Sequence, residues 1–206
     1  MQNTMRRILI LTFMISQIIM SCKKDDLSSD CISRYYYYDS EKINLTEIPN
    51  QGCISFYDTL STETINQILE QYPEIHVLSI PANSNHAIVS IDSENCEETD
   101  KLFVTIKNDS RISNCSKFLI SKEGYTLGIS DVFVCESKSS TSLSEITELI
   151  NSNHTEILKS NTSNNHFIIR ADKNSNGDAL DMANKFFESG FFEYAEPEFI
   201  ANYGTY

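Results

Sequence analysis

An α+β fold of two tandem β-α-β-β-α-β units, each an antiparallel sheet with helices on one face, is what the sequence predicts. Three observations lead there. Two stretches match at an offset of 80: "VLSIPANSNHAIVSI" (77–91) lies over "ILKSNTSNNHFIIRA" (157–171), with Asn85-His86 against Asn165-His166. A fixed offset with a shared pattern marks a duplicated unit. Two β-prone runs, "CISFYD" (53–58) and "DVFVCE" (131–136), precede the copies at corresponding places. In the second copy, helical and strand periods then alternate in the order of the ferredoxin-like split βαβ.

The second copy is the clearer. Asp131–Glu136 alternates as a strand. Ser142 and Glu145 match a capping box ahead of Ile146, Leu149 and Ile150, which share one helical face. Thr155–Ser160 and His166–Ala171 read as short strands around an Asn/Ser-rich turn. Ala179, Met182, Ala183, Phe186 and Phe187 recur at helical spacing, and Gly190 stops that helix. Tyr194–Ile200 is a final strand whose Pro197 lacks a ladder donor. The predicted core is Val132, Val134, Ile146, Leu149, Ile157, Phe167, Ile169, Met182, Phe186 and Tyr194.

In the first copy, Ile65, Ile68, Leu69 and Tyr72 mark a helix, and residues 96–110 form a less regular second one. The expected organisation is a signal peptide over 1–21, a lipid-anchored tether and entry segment over 22–50, a first ferredoxin-like domain over 51–120, a linker hairpin over 121–130, and a second such domain with a C-terminal tail over 131–206.

The signal reading rests on "MQNTMRRILILTFMISQIIMSC", where Arg6 and Arg7 precede a short apolar run and a small residue stands before Cys22. The junction resembles a bacterial lipobox, which implies that Cys22 is lipidated and tethers the chain to a membrane. "KKDDLSSD" after it resembles the export tag of Bacteroidetes surface lipoproteins, which implies an outer-membrane protein facing the exterior. Losing residues 1–21 leaves 14 basic against 29 acidic residues, a formal charge of −15. So acidic a chain is unsuited to nucleic acid. Beyond Cys22 there are five cysteines, Cys31, Cys53, Cys96, Cys115 and Cys135. An odd number in an exported chain leaves at least one free or bonded elsewhere. No C-x-x-C spacing suggests zinc.

Several motifs tempt and then fail. "DKNSNGD" (172–178) imitates a calcium loop, but its twelfth position, where a bidentate Glu belongs, is Ala183 in an apolar stripe. A strand-to-helix loop with an Asn/Asp cap explains the same residues. His76, His86, His154 and His166 fall at turns and strand ends, with no nucleophile motif beside them. Tyr35–Tyr38 reads as an entry strand that packs two of its four rings, against a sugar- or peptide-stacking alternative. Asp58-Thr59-Leu60 resembles a short O-glycosylation acceptor, although Thr59 can equally open the next helix. The sequence implies no catalytic constellation, cofactor or metal.

The segment "ALDMANKFFESGFFEYAEPEFI" resembles the N-terminal region of Bacteroidetes subtilisin-like serine peptidases. There an A-x-x-F-[YF]-E-[ST]-G-x-F-[EQ]-[YF]-A-E-P block closes the propeptide domain. The matching residues are Ala183, Phe186, Phe187, Glu188, Ser189, Gly190, Phe192, Glu193, Tyr194, Ala195, Glu196 and Pro197. "RYYYYDSEKINL" (34–45) resembles the start of such precursors, so the resemblance spans 34–200, loosely between 96 and 130. It implies a ferredoxin-like module that assists folding of a subtilisin-like protease and inhibits it. A sheet face would cover two protease helices, with Glu196 and Glu198 at their positive N-termini, where an anion gains roughly 0.3–1 kcal/mol. The tail residues Tyr203, Gly204, Thr205 and Tyr206 would lie in the substrate cleft, by strand addition.

The departure from that family is the absence of the catalytic domain with its Asp, His and Ser. The expectation is therefore a non-enzymatic surface lipoprotein that binds a subtilisin-like protease. The alternatives are a non-catalytic adhesion or assembly module, or a truncated remnant of a protease precursor.

Overall fold

The computed structural model describes residues 31–201 except 162 and 164. Its elements run β1 (Ser33–Tyr38), β2 (Glu41–Phe56), α1 (Thr62–Leu69), β3 (Ile75–Ser79), β4 (His86–Ile91), α2 (Cys96–Ile106), β5 (Ile112–Ser121) and β6 (Thr126–Ser137). They continue through α3 (Leu143–Ser152), β7 (Glu156–Asn161), β8 (His166–Arg170), α4 (Ala179–Glu188) and β9 (Phe192–Ala201). The result is a mixed α+β molecule with an antiparallel sheet. Strand neighbours run β3-β4-β2-β5-β6-β8-β7, with β1 on β2 and β9 on β6.

Each helix starts at a residue whose side chain accepts from a backbone N–H left free in the first turn. Ser61 and Asn95 cap α1 and α2 by accepting from Thr64 and Glu98 backbone N–H groups. Ser142 with Glu145 and Asp178 with Asp181 form reciprocal capping boxes on α3 and α4. Gly190, with φ of 79°, follows the last turn of α4 in the left-handed conformation that the C′ position favours.

The helices cover one face of the strands in each half. Ile65, Ile68, Leu69, Phe103 and Ile106 meet Ile54, Phe56, Ala87, Val89 and Cys115 in the first. Ile146, Ile150, Leu180, Met182, Ala183 and Phe186 meet Phe133, Cys135, Phe167, Ile169, Phe192 and Ala195 in the second. Of the predicted core, Ile146, Phe167, Ile169, Met182 and Phe186 are buried. Val132 and Val134 are not part of it. Phe133 and Cys135 fill the core, and the two valines lie half-buried on the opposite face. Both parities of "VFVC" are apolar, so alternation alone leaves the strand's phase undetermined. Tyr194 shares the valines' side, Leu149 is half-buried, and Ile157 is 38% exposed on the outermost strand.

The segment read as a tether up to residue 50 is, from Ser33, a β-hairpin. Tyr38 pairs with Glu41 around a two-residue turn, and β2 then runs on for 16 residues. The turn residues Asp39 and Ser40 both have positive φ, at 48° and 65°, the combination that suits a strand-twist-compatible turn. Three of the four tyrosine rings are engaged: Tyr36 on Phe199, Tyr37 on Phe187, and Tyr35 edge-on to Tyr37. The expected linker hairpin is shorter than 121–130, because β6 begins at Thr126.

Polar contacts lock the two halves together. Arg34 on β1 donates to Asp178 at 2.6 and 2.7 Å and to Asp181 at 2.6 Å, while lying 3.7 Å from Glu47 of β2. Lys117 joins Glu47 at 3.0 Å and also pairs with Asp100. Lys173 Nζ donates to the Lys107 and Asp109 carbonyls beyond the end of α2, where a cation satisfies free carbonyl groups. A disulfide joins Cys31 to Cys96, and Cys53, Cys115 and Cys135 are free and buried.

Candidate functional site

The face of β9-β6-β8-β7 opposite the helices is the candidate. Side chains of directly paired residues share a face. One row therefore runs Glu196, Val134, Ile168 and Lys159, and the next Tyr194, Glu136, His166 and Asn161. Val132, Arg170 and Glu156 form a third. Val132, Val134 and Ile168 are half-buried there, with Glu136, Glu156 and Glu196 around them. Among the described residues no helix covers this face. It can accept a partner's surface through an apolar centre rimmed by Glu136 and Glu196 on the β9 side and by Lys159, His166 and the Arg170–Glu156 pair on the β7 side.

Glu196 and Glu198 flank Pro197, whose position opposite Phe133 faces the helices. Glu196 makes no hydrogen bond or ion pair among the described residues, and burial pushes its carboxyl above the usual range. Glu198 falls in the register break between Pro197 and Phe199, and its Oε2 accepts from Ser130 Oγ at 2.9 Å. The two carboxylates are thus unequal: one is unpartnered on the open face, the other engaged at the seam between the halves. Cys22, Tyr203, Gly204, Thr205 and Tyr206 lie outside the described residues.

At that seam, Asp131 is fully buried, and desolvation raises its carboxyl despite Arg170 Nε at 3.2 Å. His86 is held below its usual range, first by burial, with Glu198 and Asp131 opposing. Contacts here join the halves: Asn85 donates to Asp131 Oδ1 at 3.4 Å, and Arg170 donates to the Tyr57 carbonyl. Chain-distant partners explain why sequence reasoning passed over Asp131, Arg34 and Arg170.

The calcium-like loop is committed elsewhere. Asp172 accepts from Tyr57 Oη at 2.7 Å, Ser175 donates to the His154 carbonyl, and Asn176 donates to that of Ser152. Asp178 caps α4 and binds Arg34. No group of metal-ligating side chains occurs among the described residues. Thr59 is exposed ahead of Ser61, which caps the helix instead. Among the described residues no helix is long and apolar enough to cross a membrane.

No family model matches the chain, and no curated protein matches it. Among solved structures, the small subunit of acetolactate synthase from Thermotoga maritima is similar over 76% of this chain and 98% of that one, at 6% identity and a TM-score of 0.27. A superposition so loose has no bearing on function.

Proposed function

We propose that the chain is a non-catalytic surface lipoprotein whose second half binds a subtilisin-like serine protease, inhibiting it or assisting its folding. The helix-free face bearing Glu196 carries this reading, because it presents a sheet surface with Val132, Val134 and Ile168 at its centre and a carboxylate that no described residue partners. In this reading the two halves are tandem ferredoxin-like units. In support, with the entry strand β1 set aside, each half has its first strand between its third and fourth, as β4-β2-β5 and β8-β6-β9, with β3 and β7 outermost. Their outer strands also break register at equivalent places, Val77/Ser79 and Ile157/Lys159, separated by the same offset of 80. The bulged residues are Leu78 and Leu158, and bulges protect sheet edges from unwanted pairing.

The test is inhibition of subtilisin-like proteases by the mature chain carrying Cys22→Ser. Saturable inhibition is expected at micromolar concentration or below, weakened by Val134→Lys, by Glu196→Gln and by deletion of residues 202–206. No inhibition and no effect on protease refolding would refute the reading and leave adhesion or a precursor remnant. Separately, Cys22→Ala should release the protein from the membrane fraction.

A further inference from the structure

Beside the helix-free face is a pocket of about 390 Å³, formed where the β1–β2 turn approaches the end of α4 and the start of β9. Its lining includes Tyr38, Asp39, Phe187, Glu193, Tyr194 and Glu196, and no lysine or arginine. The walls are fixed from behind. Tyr37 stacks on Phe187 with centroids 4.5 Å apart, and its hydroxyl donates to Glu188 Oε1 at 2.8 Å. Tyr35 donates to the same oxygen at 2.9 Å, so one carboxylate ties the hairpin to α4.

Asp39 reaches the pocket from the β1–β2 turn. Two-residue hairpin turns with positive φ at both positions favour Asn-Gly and Asp-Gly, so Asp39 suits its position and Ser40 stands where glycine is usual. Here Asp39 and Ser40 hold φ of 48° and 65°, and both line the pocket. Across from the turn, Glu196 is half-buried with no cation among the described residues to neutralise it. A concavity with three carboxylates and aromatic walls focuses a negative potential. Ring faces attract cations, and a planar guanidinium can stack on a ring while its N–H groups reach carboxylates.

We propose that this pocket binds an arginine side chain of the protein that docks on the adjacent sheet face, a step that rests on the partner-binding reading above. The guanidinium stacks among Tyr38, Phe187 and Tyr194, and Asp39, Glu193 and Glu196 accept its hydrogen bonds. A lysine ammonium, strongly hydrated and unable to stack, binds less well.

The probe is Nα-acetyl-arginine methylamide, titrated into the isotope-labelled mature chain with Cys22→Ser and followed by amide NMR shifts. Saturable shifts confined to residues 37–40 and 193–196 are expected, with millimolar affinity that weakens with salt. The citrulline analogue, of the same shape and uncharged, should produce none. Asp39→Asn with Glu193→Gln should weaken binding by about tenfold, since each carboxylate is exposed and contributes modestly. Glu193→Gln alone serves as a second variant that leaves the turn untouched. Equal shifts with citrulline, no saturation, or unchanged affinity in both variants would overturn the proposal. Because the probe needs no protease, inhibition without probe binding rejects the pocket alone. Probe binding without inhibition keeps the pocket and rejects the protease as its partner.

Discussion

Arg34→Met tests how the hairpin and the two halves are held as one body. The guanidinium, whose side chain is 11% exposed, donates twice to Asp178, which is 16% exposed. Removing one member of such a pair strands a buried charge, which costs about 3–5 kcal/mol at neutral pH. Asp181, at 53% exposed, is screened by solvent and adds little. The cost should depend on pH. Burial opposes ionisation of Asp178, but the Arg34 hydrogen bonds and charge outweigh it, so its carboxyl sits below the usual aspartate range. That depressed group stabilises the wild type above the unfolded aspartate pKa of about 4, and the contribution fades as pH falls through the lower folded value. Glu47 and Asp181 have raised values, chiefly from desolvation, so their sign is opposite, and they favour the fold as they protonate. In Arg34→Met, Asp178 loses its counter-charge and joins the raised group. The stability gap between wild type and variant should therefore shrink as pH falls from 7 towards about 3. Urea unfolding of both proteins across that range measures it. A gap below about 1 kcal/mol at pH 7, or one that widens on acidification, would refute the buried-pair account. Adding Asp178→Asn to the variant should recover part of the loss, because the stranded charge is gone.

The Cys31–Cys96 disulfide closes a separation of 65 residues, so Cys31→Ser with Cys96→Ser should cost roughly 4 kcal/mol, read as a lowered unfolding midpoint. In the native protein, Cys53, Cys115 and Cys135 should stay unreactive to a thiol reagent until urea exposes them; burial pushes the Cys115 thiol up to about 12 and the other two higher still. Phe186 is fully buried between Phe133 and Phe192, with centroids 4.9 and 5.3 Å away, so Phe186→Ala should destabilise by about 3–5 kcal/mol in chemical denaturation. A loss under about 1 kcal/mol would place that helical stripe outside the core.

What the sequence by itself determined was local. The apolar stripe of α4, the box at Ser142–Glu145, the stop at Gly190 and the cap at Asp178 all depend on neighbours within a turn of helix, so spacing makes them legible. The register breaks of β3 and β7, at Val77/Ser79 and Ile157/Lys159, fall 80 residues apart, the offset at which the two stretches match. The candidate face is legible only in part: the motif marks Glu196, but alternation places Val132 and Val134 in the core. Tertiary structure decided that phase, because only the packing of α3 and α4 selects which parity of an all-apolar strand is buried. It also decided the meaning of Arg34, which finds Asp178 across 144 positions, and of "DKNSNGD", whose Asp172 finds Tyr57 across 115. Those pairings, like the choice of Cys96 for Cys31 among the cysteines, follow from distances in the folded chain. A linear sequence carries the chemistry of each partner, but a long-range bond also needs proximity, and proximity is set by how the sheet and helices bury their apolar faces.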